Sequence, residues 1–356
     1  MSEVRAKKAL GQHFLVDLNI ARKICDALSG GVRPEAGAET RAVAAGSADA
    51  DAEIRTRVAG YAGAGAEART MAVGSADAWA EARTKATGTA DADAETRRGV
   101  VASADARLAA DTTAAGAPAA AEEERGGAVP CDVLEVGCGM GVLTQFLLRR
   151  GDITTYGAEI DPESVEYLHA HFPEFAPRLI EGDFLKMNLR ERFPRGLKII
   201  GNFPYNISSQ IFFKVLENRD LVPECVGMIQ KEVAVRIAEP PGSKEYGILS
   251  VLLQAWYDIE YLFTVNETVF NPPPKVKSAV IRLRRNGVGR LGCDEALFVK
   301  VVKASFGQRR KMIRNSLRAV FGDFGGAEHP FFTQRAEQLS VADFVQLTDW
   351  VAANRK

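Results

Sequence analysis

The stretch Leu134-Glu135-Val136-Gly137-Cys138-Gly139-Met140-Gly141 closes a short apolar run, residues 132–136, and leads into a segment of helical character, residues 142–150. A strand that turns through glycines into a helix is the entry to a βα unit. Glycine at such a turn tolerates tight backbone geometry and lets a ligand come close to the main chain. The third glycine falls earlier than in the dinucleotide fingerprint G-x-G-x-x-G, and no lysine follows to hold a phosphate as in a P-loop.

Working outward, a second strand over residues 154–159 ends in Glu159-Ile160-Asp161, about 20 residues on, where an acid accepts the hydroxyls of a ribose. Alone, Glu159 reads equally well as a solvated strand-end acid. A third strand, 179–181, runs into Gly182-Asp183-Phe184. Asp183 there accepts from an adenine amino group with Phe184 against the ring, or else caps the next turn. Glu135 before the first glycine and the G-x-G spacing favour S-adenosylmethionine over NAD.

The fourth strand, 197–201, ends in Asn202-Phe203-Pro204-Tyr205. Methylating the amino group of a nucleobase needs two acceptors on its N–H bonds and a flat surface for the ring. The Asn202 side-chain oxygen and the Pro204 carbonyl are suitable acceptors, proline fixes the turn, and Tyr205 stacks on the base. Held this way, the nitrogen lone pair is drawn out of conjugation and aimed at the methyl donor. The bland alternative is a strand-end turn with a packed tyrosine.

Further along, residues 207–216 read as a helix, 226–230 as a strand, 247–256 as a helix, and 257–265 with 278–283 as a late strand pair. Phe270-Asn-Pro-Pro-Pro-Lys275-Val-Lys277-Ser278 is a rigid, extended segment. Phe270 is a candidate cover for the second face of a flipped base, with Lys275 and Lys277 on phosphate; a proline-braced loop is the alternative. From about residue 294 the periodicity is helical. Phe306-Gly-Gln-Arg309-Arg310-Lys311-Met-Ile-Arg314-Asn315-Ser-Leu317 carries four cations, and no acid occurs from residue 304 to 320. At helical spacing Arg310 and Arg314 share a face, as expected of a phosphate-tracking helix. The N-terminal Lys7-Lys8-Ala9-Leu10-Gly11-Gln12-His13-Phe14-Leu15 is a basic lead before an amphipathic helix.

Residues 32–128 differ in kind. A 14-residue unit recurs from Val32, Gly46, Gly60, Gly74 and Gly88, with a decayed copy from Ala102. Glu39, Glu53, Glu67, Glu81 and Glu95 stay in register, as do Arg41, Arg55, Arg69, Arg83 and Arg97. Only Tyr61 and Trp79 are aromatic. With a glycine in each unit and almost no large apolar residue, the segment is expected to be a disordered or loosely helical insertion arising from tandem duplication. A binding arm or repeat stack is the alternative. The insertion also distorts the charge balance. The chain has 45 Lys+Arg and 46 Asp+Glu over 356 residues, a net of −1, which discourages an RNA partner. The insertion holds 11 of the bases and 16 of the acids, so the rest of the chain is +4.

Five scattered cysteines without a C-x-x-C pair form neither a disulfide framework nor a zinc motif, and no metal site is expected. The N-terminus has no apolar leader, and no apolar run approaches a membrane span. A cytoplasmic location without membrane association follows as an expectation.

Together these residues resemble the ribosomal RNA adenine N6,N6-dimethyltransferase family, and within it the small-subunit (16S) branch linked to kasugamycin resistance. The matching pieces are Leu10-Gly-Gln-His-Phe-Leu15, residues 134–144, Glu159-Ile-Asp161, Gly182-Asp183, Gly201-Asn-Phe-Pro-Tyr-Asn-Ile-Ser-Ser209, 270–278 and 306–317. The resemblance implies S-adenosylmethionine held by His13, Leu15, Gly137, Gly139, Glu159, Asp183 and Asn202, and catalysis by Asn202, Pro204 and Tyr205. It assigns RNA contact to Phe270, Lys275, Lys277, Arg309, Arg310, Lys311 and Arg314. The implied substrate is a hairpin near the 3′ end of small-subunit rRNA in the assembling 30S subunit, with two adjacent adenosines each dimethylated by a monomeric enzyme. His13 stands where the family often has Asn, Cys138 where Pro is common, and Phe203 where Leu is usual.

The fold class expected is α/β: a Rossmann-like S-adenosylmethionine-dependent methyltransferase sheet, a small C-terminal all-α domain and the Ala-rich insertion. The expected division is 1–31 lead and first helix, 32–128 insertion, 129–290 catalytic domain and 291–356 helical RNA-binding domain. The competing functions are a ribosome-assembly factor acting mainly by binding and a large-subunit rRNA adenine dimethyltransferase.

Overall fold

A computed structural model describes residues 4, 6, 7, 10–30 and 130–355. The expectations for residues 32–128 lie outside the described residues. Chain contacts divide the protein into Met1–Ala36 with Arg125–Lys356, and Gly37–Glu124. Everything below belongs to the first unit.

The opening stretch forms strand β2 (Cys131–Val136), preceded by β1 (Phe14–Leu15) and α1 (Leu18–Asp26). Then come α2 (Thr144–Leu147), β3 (Ile153–Glu159), α3 (Pro162–His171), β4 (Leu179–Glu181), α4 (Leu189–Arg192), β5 (Lys198–Asn202), α5 (Ser208–Glu217), β6 (Glu224–Gln230) and α6 (Lys231–Ala238). The chain continues through α7 (Ile248–Gln254), β7 (Tyr257–Val265), β8 (Phe270–Asn271), β9 (Ser278–Arg285), α8 (Glu295–Gly307), α9 (Ile313–Phe321) and α10 (Val341–Asn354).

Seven strands make one sheet in the order β4-β3-β2-β5-β6-β9-β7. β4, β3, β2, β5 and β6 run parallel, and β9 enters antiparallel between β6 and β7. Parallel strands buried on both faces read as continuous apolar runs, which is why β2 and β5 were legible. Alternation along the strands divides the core. Val133, Ile200, Val226, Met228 and Val280 face a layer formed by Ala21, Ile24 and Cys25 of α1 with Leu147 of α2. Leu134, Ile199, Cys225 and Ile281 face the other way, toward Phe212, Trp256, Phe298 and Phe344. The helices after residue 294 therefore share the core of the second sheet face. Phe203 fits this face because Gly201 and Gly227 leave room. A Cβ on Gly227 would stand 2.4 Å from the Phe203 ring.

α1 starts on Asp17, whose carboxylate accepts from the Asn19 and Ile20 N–H groups at 2.8 and 3.1 Å. Its far end is clamped to the sheet. The ammonium of Lys198 donates to the carbonyls of Ser29 (2.9 Å) and Gly30 (3.1 Å) and pairs with Glu224 at 3.0 Å. Lys198 and Glu224 open β5 and β6, and Cys131 opens β2 next to β5. Gly30 and Pro130, on either side of the insertion, thus meet the sheet at the amino ends of its strands. The glycine turn and Asn202 lie at the carboxyl ends.

That separation yields a prediction. A chain lacking residues 35–126 keeps seven residues between Gly30 and Pro130, enough to reach about 23 Å. Loop closure depends weakly on length, so this chain should melt within a few degrees of the full one and keep the activity expected from the sequence within about twofold. A large loss of activity in a folded deletion protein would give the insertion a function.

Among the described residues no helix is long and apolar enough to cross a membrane. None of the five cysteines is in a disulfide, and four of them are buried.

Candidate active site

The chain steps outward from β2 to β3 and β4 on one side, and through β5 to β6 on the other. The carboxyl ends of β2 and β5 are thus the switch point at which open α/β sheets bind ligands. A cleft enclosing about 990 Å³ of space, its open mouth included, lies there. Gly137, Gly139, Glu159, Asp183, Asn202, Pro204 and Tyr205 line it, and residues 10–14 of the N-terminal lead form its other wall.

Gly137 has φ of +76°, a conformation that strains any side chain, and a Cβ there would point at Pro204 and the Asn202 carbonyl, 3.8 and 3.9 Å away. Glu159 is fixed by three main-chain donors. Its Oε1 accepts from Ile160 and Asp161 N–H and its Oε2 from Gly139 N–H, all at 2.9 Å. Burial pushes its carboxyl above the usual range, opposed by those N–H groups. The Oε2 atom retains a lone pair for a ligand hydroxyl. Asp183 uses Oδ1 to accept from Leu185 N–H at 2.9 Å, so it is a cap; its other oxygen is not taken by the main chain.

Asn202 donates its Nδ2–H to the carbonyl of His13 at 2.9 Å. This orients the amide and leaves Oδ1 as the free acceptor. The His13 Nδ1 lies 2.9 Å from the Pro272 carbonyl, which only accepts, so Nδ1 carries the proton. The His13 and Tyr205 rings stand 5.3 Å apart, tilted by 32°. The Tyr205 hydroxyl is 2.5 Å from the Ser278 hydroxyl, and burial raises its pKa.

The lead is attached by contacts with no local sequence signal. Lys7 pairs with Asp161 and with Glu163, and Gln12 donates to Asp161 at 3.3 Å. Gly11 approaches Asn206 so closely that a Cβ would lie 2.6 Å from its oxygen. A residue spacing of about 150 hides such partners from any pattern search.

Glu135, from the opening stretch, serves below the cleft. Its carboxyl is buried and accepts from the Thr144 hydroxyl at 2.6 Å, joining β2 to α2. Burial pushes its pKa up to about 8. The unfolded chain ionises it in the usual carboxylate range. Stability from this group is therefore complete below that range and is lost as pH rises through it toward 8, by on the order of 4 kcal/mol. Denaturant unfolding at pH 5 and pH 8 should show a smaller drop for Glu135→Gln than for the parent; equal drops would refute the assignment.

Two expectations need correction. Phe270 is 3% exposed and packs with Leu15, Val265 and Val280, so its ring is core and not a cover for a base. The Leu15 side chain is likewise buried, and the residue pairs with Phe270 across β1 and β8 directly after the cleft wall of residues 10–14. Residues 306–317 are not one helix. α8 ends at Gly307 and α9 begins at Ile313, leaving Arg309, Arg310 and Lys311 exposed in the turn between them. Glycine disfavours helix there. Arg314 is paired with Glu328, an acid beyond the acid-free stretch, and its guanidinium sits 5.6 Å from the Phe332 ring centroid. Lys275 and Lys277 are exposed beside the cleft-lining elements.

The free acceptor on Glu159, the second oxygen of Asp183, which has only the exposed Lys186 ammonium 3.9 Å away, and the bare main chain at Gly137 suit the ribose and adenine of S-adenosylmethionine. This fold with this site defines an S-adenosylmethionine-dependent methyltransferase. A family model described as ribosomal RNA adenine dimethylase matches residues 130–353. Ribosomal RNA small subunit methyltransferase A of Parabacteroides distasonis is 61% identical over 218 residues, covering 61% of this chain and 81% of its own length. The protein of the same name from Porphyromonas gingivalis is 59% identical over 220 residues, covering 61% and 84%. A crystal structure of a dimethyladenosine transferase from Plasmodium falciparum superposes with a TM-score of 0.53 at 25% identity, over 63% of this chain and 90% of that one. The chain belongs to the ribosomal RNA adenine dimethylase family, with ribosomal RNA as its substrate.

Proposed function

We propose that the protein transfers methyl groups to N6 of two adjacent adenosines in a hairpin near the 3′ end of small-subunit rRNA, giving N6,N6-dimethyladenosines while the 30S subunit assembles. The observation that carries this reading is the oriented amide of Asn202, whose Oδ1 is left to the cleft next to Pro204 and Tyr205. Its small-subunit specificity rests on the similarity to the two bacterial relatives.

S-adenosylmethionine, when bound, supplies a methyl group on a positively charged sulfur. Glu159 holds the ribose hydroxyls, Asp183 the adenine amino group, and Gly137 and Gly139 give the chain's close approach. Asn202 Oδ1 and the Pro204 carbonyl accept the two N6–H bonds of the target adenosine. Tyr205 supports the base. Two acceptors in these positions localise the nitrogen lone pair and aim it, and the proton leaves after transfer, so no strong base is required. The enzyme acts as a monomer in the cytoplasm.

The decisive test is incubation of the purified protein with labelled S-adenosylmethionine and under-methylated small subunits, followed by nucleoside analysis. Dimethyladenosine is expected; its absence would leave only a binding role.

RNA contact falls to Lys275, Lys277, Arg309, Arg310 and Lys311. Replacing Arg310 and Lys311 together by alanine should weaken subunit binding about tenfold and flatten the slope of log affinity against log salt by about 2. Cofactor affinity should not change. An unaltered salt slope would remove the turn from the RNA interface.

A further inference from the structure

The segment 270–278 looked like a source of a stacking ring and phosphate-binding lysines. Phe270 is core, yet the same segment touches the site twice. The Pro272 carbonyl holds His13 Nδ1 at 2.9 Å, and the Ser278 hydroxyl meets the Tyr205 hydroxyl at 2.5 Å. The His13 carbonyl in turn accepts from Asn202. The two residues assigned to the target base are therefore braced by one segment, Asn202 through His13 and Tyr205 directly.

We propose that Ser278 is a positioning residue for methyl transfer, its hydroxyl setting the angle at which Tyr205 presents its ring to the target adenine. This rests on the adenine methylation proposed above. Ser278 suits the task because strands hold it on both sides. It is fully buried as the first residue of β9, paired with Gln230 on one side and Val265 on the other. Tyr205 stands in the turn three residues past the end of β5 and is only half-buried. A ring on a turn has freedom about both of its side-chain torsions, and contact at the distal hydroxyl removes it. A base stacked on that ring then inherits its orientation relative to Asn202 Oδ1. Small errors of placement at reacting atoms slow a reaction steeply.

The test is a double-mutant cycle on the full chain, using Ser278→Ala, Tyr205→Phe and the pair, with Ser278→Thr as the conservative variant. Turnover and KM are measured on under-methylated small subunits at saturating cofactor, and cofactor binding by calorimetry. The wild-type rate in the same assay separates failure of this proposal from failure of the proposed function. Losing one hydrogen bond, Ser278→Ala should lower kcat about fivefold, with KM and cofactor affinity within about twofold. Ser278→Thr, keeping the hydroxyl, should recover most of that rate. In the Tyr205→Phe background, where no phenol remains to position, Ser278→Ala should change nothing. An equal loss in both backgrounds would mark Ser278 as a packing residue and overturn the proposal. So would an unchanged kcat in Ser278→Ala, or an effect confined to KM. If Ser278→Thr does not fold, as judged by its melting curve, the cycle alone decides.

Discussion

Replacing Asn202 by alanine should lower methyl transfer about a hundred- to thousandfold, the loss seen when a preorganised polar group is removed from a reacting centre. The protein should still fold and still bind small subunits. Asn202 spends its Nδ2–H on the His13 carbonyl and keeps Oδ1 for the cleft. It is therefore aligned before substrate arrives, and its removal acts on the reacting amino group more than on the RNA. The cations proposed to bind the subunit are exposed in other loops, which this change does not touch. Asn202→Asp is a sharper probe. It retains an acceptor but loses the N–H to His13, and it places a carboxylate beside that carbonyl. It should also be strongly impaired, because orientation is lost along with the donor. Single-turnover rates on under-methylated subunits, with filter binding alongside, check both variants. A rate within about threefold of wild type for Asn202→Ala would remove this side chain from the mechanism.

The parts of this site that are legible in the sequence share one property: each lies at or just beyond the carboxyl end of a parallel strand. The glycine loop and Asn202 close apolar runs and Glu159 and Asp183 close the two strands beyond them, so strand and site residue are read together. For Asp183, the capping and ligand readings stood as alternatives. The structure reconciles them, since a carboxylate has two oxygens and only Oδ1 serves the cap. What stayed hidden depends on pairing between distant segments. β1 finds β8 across some 250 residues, and that pairing is what buries Leu15 and Phe270. Lys7 finds Asp161, and Arg314 finds Glu328, in neither case with a local pattern to announce the partner. The basic stretch misled for a different reason. Helical spacing of Arg310 and Arg314 was real as arithmetic, but the chain turns at Gly307 before it applies.

Removing the Glu159 carboxylate should be at least as damaging as losing Asn202, at an earlier step. Three main-chain N–H groups converge on this side chain, and one of them, from Gly139, belongs to the glycine turn. In Glu159→Ala these donors lose their acceptor in a site where the carboxylate itself is 4% exposed. A hydrogen bond to a charged group contributes about 1.5–3 kcal/mol. Losing the tether between β3 and the turn together with the ribose acceptor should weaken cofactor binding by about a hundredfold or more. Glu159→Gln is not a conservative rescue. Its single oxygen can serve Ile160 and Asp161, but its amide then presents N–H toward the Gly139 N–H, donor against donor. It should bind cofactor nearly as poorly as the alanine variant while keeping more of the thermal stability. Calorimetric titration with S-adenosylmethionine, paired with thermal melting, separates the two losses. Affinity within about threefold of wild type in a folded Glu159→Ala protein would show that the ribose is held elsewhere in the cleft.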